Sequence, residues 1–418
     1  MPLLLYNTFL FLYLSGIKIY SLFNPKASKW IEGRKQWRQK IGSALKPGEK
    51  RIWIHCSSLG EFEQGRPLID ALREEYPEYK IVLTFFSPSG YEIAKNYDKA
   101  DYVFYLPLDS RHNAETFINL IDPQLAIFVK YEFWYYYLHK LSKQQVPTIL
   151  ISGAFREKQS FFKWYGSFFR QMLNCFTFFF VQDEQSKSLL GSLGFYKKVM
   201  VAGDTRYDRV SAISKNKISI PVVESFKAGN KLLIAGSTWP DDEEILNKCI
   251  TTLPEDWKLI IAPHEVDDMH IQKIQQLFGS DILLFSELAA GKISAGKILI
   301  INNIGILSSL YAYGDIAYVG GGFQKGGIHN ILEPAVFGLP VIFGPIYDKF
   351  VEAKEFVAKH YAFSVKNAEE CSIMLNKFIT DEHYRVTIQD SLKKFMVQNI
   401  GATTRIMTYI KDEKWLVS

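Results

Sequence analysis

Cysteine is scarce in this chain of 418 residues, and the four present (Cys56, Cys175, Cys249 and Cys371) stand far apart, with no Cys-x-x-Cys pair. That spacing argues against a disulfide framework or a cysteine-built zinc site, and it fits a reducing compartment with the thiols as small buried hydrophobes. An excess of one charge sign is also lacking. The formal net charge of +5 is too small to argue a nucleic-acid partner. No Ser-His-Asp order and no His-Glu-x-x-His motif occurs, and no histidine pair has the helical spacing of metal ligands. Internal repeats and low-complexity segments are absent. A near miss for a phosphate-binding P-loop, Gly291 to Lys297, has Ile298 where a magnesium-holding Ser or Thr belongs and precedes a strand instead of following one, so it reads as a turn.

What is present is an ordinary globular composition, 48% hydrophobic and 22% charged, with a high aromatic share of 15%. The length exceeds what one core usually serves, so two domains are expected. Leu3 to Ile17 is apolar but short of the ~20 residues that cross a bilayer; extension to Phe23 reaches that length, with Lys18 able to snorkel. No basic n-region precedes it and no small-residue cleavage site follows, which argues against a removed signal peptide. Residues 24–50 are basic: Lys26, Lys29, Arg34, Lys35, Arg38, Lys40, Lys46 and Lys50, continued by Arg51, face only Glu32 and Glu49. A membrane anchor over 1–23, spanning or interfacial, is expected, with the basic segment on anionic headgroups and the rest in the cytoplasm. A buried core helix is the alternative.

From Arg51 onward apolar strands alternate with helical patterns. Strands are expected at Ile52–Cys56, Lys80–Phe86, Tyr102–Tyr105, Leu125–Val129, Thr148–Ser152 and Phe176–Val181. A second series runs through Lys231–Ala235, Lys258–Ala262, Ile282–Phe285, Lys297–Ile301, Asp315–Val319 and Pro340–Phe343, and the tail after Asn367 is helical in character. Such alternation predicts right-handed βαβ units and parallel sheets. The expected fold is α/β, with doubly wound domains at 51–207 and 231–418 joined by a linker at 208–230 and facing a cleft.

The stretch Gly320 to Pro345 is rich in glycine between two buried strands. Asn330 to Phe337 reads as a short helix, with Pro334 near its first turn and Gly338 stopping it. Strand, glycine loop and helix N-terminus together suggest an anion site, for which a tight packed turn is the alternative. His329, Asn330 and Glu333 at the helix start favour a ligand. Glu61, in the loop Ser57-Ser-Leu-Gly-Glu61, is either a general base or a first-turn glutamate serving the helix dipole. Lys130-Tyr-Glu132-Phe-Trp134, with Tyr135 to Tyr137, is either an aromatic surface for lipid or sugar or packing around a helix start. Arg156 and Arg206 can each hold an anion bidentately or sit in an ordinary salt bridge. His264 shares its position, beyond a buried strand, with His329.

Ser58-Leu-Gly-Glu61, Glu132-Phe-Trp134, Gly203-Asp-Thr-Arg-Tyr-Asp208, Ala235-Gly-Ser-Thr238 and Gly326-Gly-Ile-His-Asn-Ile-Leu-Glu-Pro334 occur in the order found in the Kdo transferases. The chain resembles that family of membrane-anchored glycosyltransferases, which attach 3-deoxy-manno-octulosonic acid (Kdo) to lipid A precursors. The resemblance spans nearly the whole chain and implies a GT-B fold, CMP-Kdo as donor, a lipid A precursor as acceptor, inner-membrane lipid as a contact, and inverting transfer without metal or cofactor. It implies Glu61 as the base taking the acceptor proton, and Glu132 and Arg206 as transition-state stabilisers. It implies CMP contacts at Pro263 and His264, at Ile304, Gly305 and Ile306, and at Asn330, Ile331, Leu332 and Glu333. The family commonly has arginine where His264 stands, lysine at Arg206, an acidic residue at Ile306 and glutamate at Lys130. Another nucleotide-sugar enzyme of the same fold (a UDP-sugar transferase or epimerase) and a non-catalytic tethered binding protein are the alternatives.

Overall fold

A computed structural model describes residues 2–215, 218–250, 253–279, 281–292 and 296–417. Ile293, Ser294 and Ala295, in the turn expected at Gly291 to Ile298, lie outside the described residues, as do 216 and 217 of the expected linker. The chain forms two compact units, Met1–Arg209 with Asn399–Ser418, and Val210–Gln398.

Unit 1 is built on one sheet of seven strands: β1 (Arg51–Cys56), β2 (Lys80–Phe85), β3 (Tyr102–Tyr105), β4 (Pro123–Val129), β5 (Thr148–Gly153), β6 (Phe178–Val181) and β7 (Val199–Val201). Their order is β3-β2-β1-β4-β5-β6-β7, and every pairing is parallel. Helices cover both faces, which is why strands such as β1 and β5 are apolar and buried along their whole length. Alternation along β1 still sorts side chains by face: Trp53 joins Val82, Phe117, Phe128 and Tyr137, while Ile52 and Ile54 join Leu68, Ile69 and Ile127.

Unit 2 has a second parallel sheet: β8 (Lys231–Thr238), β9 (Trp257–Pro263), β10 (Ile282–Leu284), β11 (Ile298–Ile300), β12 (Ile316–Val319), β13 (Val341–Phe343) and β14 (Ala362–Ser364), in the order β10-β11-β9-β8-β12-β13-β14. Both sheets are doubly wound, as expected. β7 and β14, each of three residues, were not anticipated; edge strands this short leave too brief an apolar run to read.

Several boundaries differ from expectation. The tail does not all belong with unit 2: helix Ala402–Asp412 returns to unit 1, where Ile406, Ile410 and Leu416 enter the core beside Ile52 and Ile127. Asp208 caps that helix, its carboxylate accepting from the Gly401 and Thr403 N–H groups. The segment 208–230 is not a plain linker, since it carries most of helix Thr205–Lys215 and all of Pro221–Lys227, with Val223 and Phe226 buried. Cys56, Cys249 and Cys371 are buried, but Cys175 is only half-buried.

The N-terminal helix, Pro2–Tyr20, is long and apolar enough to cross a membrane and has Leu4, Leu5, Phe9, Phe11 and Leu12 exposed. It is nonetheless tied to unit 1. Tyr6 donates to the buried Asp109 carboxylate at 2.6 Å, and Tyr13 stacks on Phe86 at 6.2 Å. The basic segment folds into helices Pro25–Gly33 and Trp37–Ala44. Arg34 and Arg51 are therefore not free for headgroups. Arg34 is half-buried against Trp30, Phe86 and Tyr105 with its N–H groups on the carbonyls of Trp30, Phe86 and Leu106, and desolvation pushes its pKa down to about 9. Arg51 donates to the Ile121 carbonyl.

Candidate active site

In a doubly wound sheet, ligands sit beyond the carboxyl ends of the strands where the winding reverses. In unit 1 that point lies between β1 and β4, and the loops following these strands carry Glu61 and Glu132. Glu61 opens the helix Leu59–Glu75 and closes a capping interaction, its Oε2 accepting from the Ser58 N–H at 2.8 Å and the Ser58 hydroxyl at 3.2 Å. Burial, then the Glu132 charge, pushes Glu61 up to about 7, although the Ser58 bonds and the Lys130 ammonium oppose the rise. The capping role expected for this residue is present, and its carboxyl is shifted towards neutrality.

Glu132 is 6% exposed, and its Oε2 is held by two rings, the Trp134 indole N–H at 2.6 Å and His55 Nε2 at 3.1 Å. His55 is fixed in turn through Nδ1, at 2.9 Å from the Thr84 hydroxyl. Lys130 leaves the end of β4 with a left-handed φ of 68°, a conformation uncommon for non-glycine residues. Its ammonium acts on both Glu61 and Asp204. Arg206, at the start of helix Thr205–Lys215, pairs with Asp204 Oδ2 through Nε at 3.0 Å and through its terminal nitrogen at 2.7 Å. Burial pushes the Asp204 carboxyl up, but Arg206 and Lys130 more than offset it, and it ends below its ordinary value.

Other expectations give way to packing. Phe133 sits among Phe155, Phe161 and Phe176, and Tyr137 is fully buried, while Tyr135 and Tyr136 flank Tyr6 of the N-terminal helix. Of the stretch expected as an aromatic surface, Tyr131 keeps 42% exposure. Arg156 lies in a salt bridge to Asp183 at 3.2 Å.

In unit 2 the reversal lies between β8 and β12. Pro263 ends β9 and His264 follows it, with the His264 N–H on the Thr238 carbonyl at 2.9 Å. Ile304, Gly305 and Ile306 form the loop before Leu307–Leu310, with Ile304 86% exposed. Asn330 caps the start of the next helix through Leu332 N–H and donates to Glu333 at 3.1 Å. That helix is Leu332–Val336, five residues rather than the expected eight, so its dipole is slight. The role expected for the glycines also changes. A Cβ on Gly320 would lie 2.2 Å from the Ser237 carbonyl oxygen, so this glycine admits backbone packing and not a ligand. A stack that the sequence did not reveal stands beside them: Trp239, His264 and His329.

Residues 35–209 match the family described as 3-Deoxy-D-manno-octulosonic-acid transferase (kdotransferase). The chain is 29% identical over 344 residues to the 3-deoxy-D-manno-octulosonic acid transferase of Aquifex aeolicus, covering 81% of this chain and 88% of that one. It is 25% identical over 386 residues to the Haemophilus influenzae enzyme of the same name, covering 88% of each. These matches support a Kdo transferase. It is also 30% identical over 384 residues to a bifunctional glycosyltransferase/methyltransferase of Fusobacterium nucleatum, covering 87% of this chain but only 59% of that protein's length. Among solved structures, a UDP-GlcNAc 2-epimerase from Neisseria meningitidis aligns with a TM-score of 0.60 at 15% identity, covering 86% of this chain and all of that one, a likeness of fold alone.

Within the Kdo transferase framework, the expected catalytic residues Glu61 and Glu132 meet at one switch point, and Lys130 links them to the Asp204–Arg206 pair. The expected nucleotide contacts divide between strand ends and loops of unit 2. His55, Asp204 and Trp239 were missed. A histidine inside an otherwise apolar strand was the available signal for His55; for Trp239 there was none, because its partner lies 90 residues away.

Proposed function

We propose that this glycosyltransferase moves Kdo from CMP-Kdo to a lipid A precursor at the cytoplasmic face of the inner membrane, with inversion at the anomeric carbon. The observation that carries this reading is Glu61, a carboxylate with a pKa near 7 at the β1/β4 switch point of a Kdo transferase chain. As its anion it takes the proton from an acceptor sugar hydroxyl; the freed oxygen bonds to the anomeric carbon of Kdo, and the bond to the phosphate breaks with its electron pair leaving on CMP. Glu132, held by His55 and Trp134, keeps Glu61 basic enough for this step. Arg206 offers its guanidinium to developing negative charge or to the sugar carboxylate. Pro263 and His264, the loop at Ile304, Gly305 and Ile306, and the turn from Asn330 through Ile331 and Leu332 to Glu333 hold the CMP moiety. The N-terminal helix and the remaining exposed lysines of 24–50 supply the membrane contact.

The test is incubation of the purified protein with CMP-Kdo and a lipid A precursor, weighing the lipid by mass spectrometry. The expected product gains Kdo, and CMP-Kdo turnover by Glu61→Gln falls by ~10² or more, the usual size of a general-base effect. Glutamine preserves the capping bond to Ser58, so the loss reads chemistry rather than folding. Unmodified lipid, or normal transfer by folded Glu61→Gln, would overturn the reading.

A further inference from the structure

Three rings are gathered at the β8/β12 reversal of unit 2. Trp239 lies in the first strand–helix turn of the unit, His329 follows the glycine loop after β12, and His264 directly follows β9. His264 lies over His329 with ring centres 4.3 Å apart and over Trp239 at 4.8 Å. The placement is rigid. His329 N–H bonds to the Gly320 carbonyl at 3.1 Å, and the His264 backbone is held by Thr238. The fully buried Asp242 accepts from the backbone N–H groups of Trp239 at 3.0 Å and Gly321 at 2.8 Å, and from the Tyr318 hydroxyl at 2.8 Å. One carboxylate thus ties the Trp239 turn to the His329 loop.

The Trp239 indole nitrogen lies 3.0 Å from His329 Nε2. An indole N–H is a donor only, so Nε2 must present its lone pair. The imidazole is therefore neutral and its single proton sits on Nδ1. Burial and the neighbouring His264 act in the same direction, holding the His329 pKa down to about 4. Among the described residues no protein group pairs with Nδ1. A neutral N–H donor, fixed in tautomer and half-exposed, therefore stands directly before Asn330. In doubly wound domains the first strand–helix turn is where a nucleotide phosphate is received.

We propose that His329 donates its Nδ1–H to a phosphate oxygen of the bound CMP-sugar, and that Trp239 is the positioning residue that locks this tautomer. The inference rests on the CMP-Kdo donor reading. A neutral imidazole donates to the phosphate oxygen without the added Coulombic attraction of an imidazolium, so it orients the donor without clamping the CMP that must leave afterwards.

The test is calorimetric titration of the full-length protein with CMP, and with cytidine as the phosphate-free control. Trp239→Phe keeps a ring but removes the N–H, and His329→Gln moves the donor to the Nε2 side. Both are expected to weaken CMP about tenfold, the size of a hydrogen bond to a charged group, with cytidine unchanged. His329→Asn carries an amide N–H where Nδ1–H stood and should stay within about threefold of wild type. Independently, nitrogen-15 NMR of the wild type should show His329 protonated on Nδ1 alone between about pH 6 and pH 8. A proton on Nε2, or undiminished CMP binding by Trp239→Phe and His329→Gln, overturns the proposal. Wild-type protein that binds uridine but not cytidine nucleotides overturns the donor reading instead, and this inference falls with it.

Discussion

At the scale of single residues, Glu61 carries opposed electrostatic demands. The Ser58 bonds and Lys130 favour its anion, and burial with the Glu132 charge disfavours it; the second pair prevails and the carboxyl titrates near 7. Because the base works as its anion, kcat/KM should rise with pH through about 7. Glu132→Gln removes a negative neighbour, eases ionisation of Glu61 and should move this acid limb to lower pH, whatever it does to the maximum rate. A rate–pH profile with the limb unmoved, or shifted upward, would refute the coupling. Glu61 was legible in the sequence because a strand, a glycine turn and an amphipathic helix follow each other locally. His55 was not, since its meaning comes from Glu132, 77 residues further along the chain.

At the scale of elements, the N-terminal helix is the instructive case. Its composition alone allowed a bilayer span, a surface helix or a core helix. Contacts at Tyr6 and Tyr13, seven positions and about 10 Å of helix apart, hold this length along the rest of unit 1. Phe9, Phe11 and Leu12 stay exposed, so under the proposed membrane contact a helix held against protein over that length would rest in the interface with these side chains towards lipid. Tyr6→Phe deletes a hydrogen bond to a buried carboxylate, worth roughly 1.5–3 kcal/mol, and should speed amide exchange in 2–20 at least tenfold while β1 and β4 stay protected. Unchanged exchange in the helix would show that something other than Asp109 holds it. The interior strands were readable because helices on both faces force continuous apolar runs. The tyrosines after Trp134 were not, since packing by a helix more than a hundred residues away is invisible in a local pattern.

For the whole molecule, the segment 399–418 matters more than its length suggests. Ile406, Ile410 and Leu416 are almost wholly buried in unit 1, and burying three such side chains contributes roughly 5–9 kcal/mol as an upper estimate. A typical domain is stable by only about 5–15 kcal/mol. Deleting 399–418 should therefore undermine the unit that carries Glu61 and leave the preceding unit intact, so limited proteolysis should spare a fragment near 210–398 and degrade 1–209. Equal resistance of both parts would contradict this. Sequence periodicity showed the tail as helical, but no local pattern tells a helix which sheet it will cover.

That crossing has a consequence for biogenesis. Unit 2 is an insertion within unit 1 along the chain, so the first sheet emerges from the ribosome early and waits for its last helix. At about 5–20 residues per second the wait is roughly ten to forty seconds. Throughout it, the apolar face later covered by Ile406 and Ile410 lacks its cover, at the same time as the apolar N-terminal helix is already out. The nascent chain thus passes through a period when two apolar surfaces of the same half-finished unit are open to misassembly.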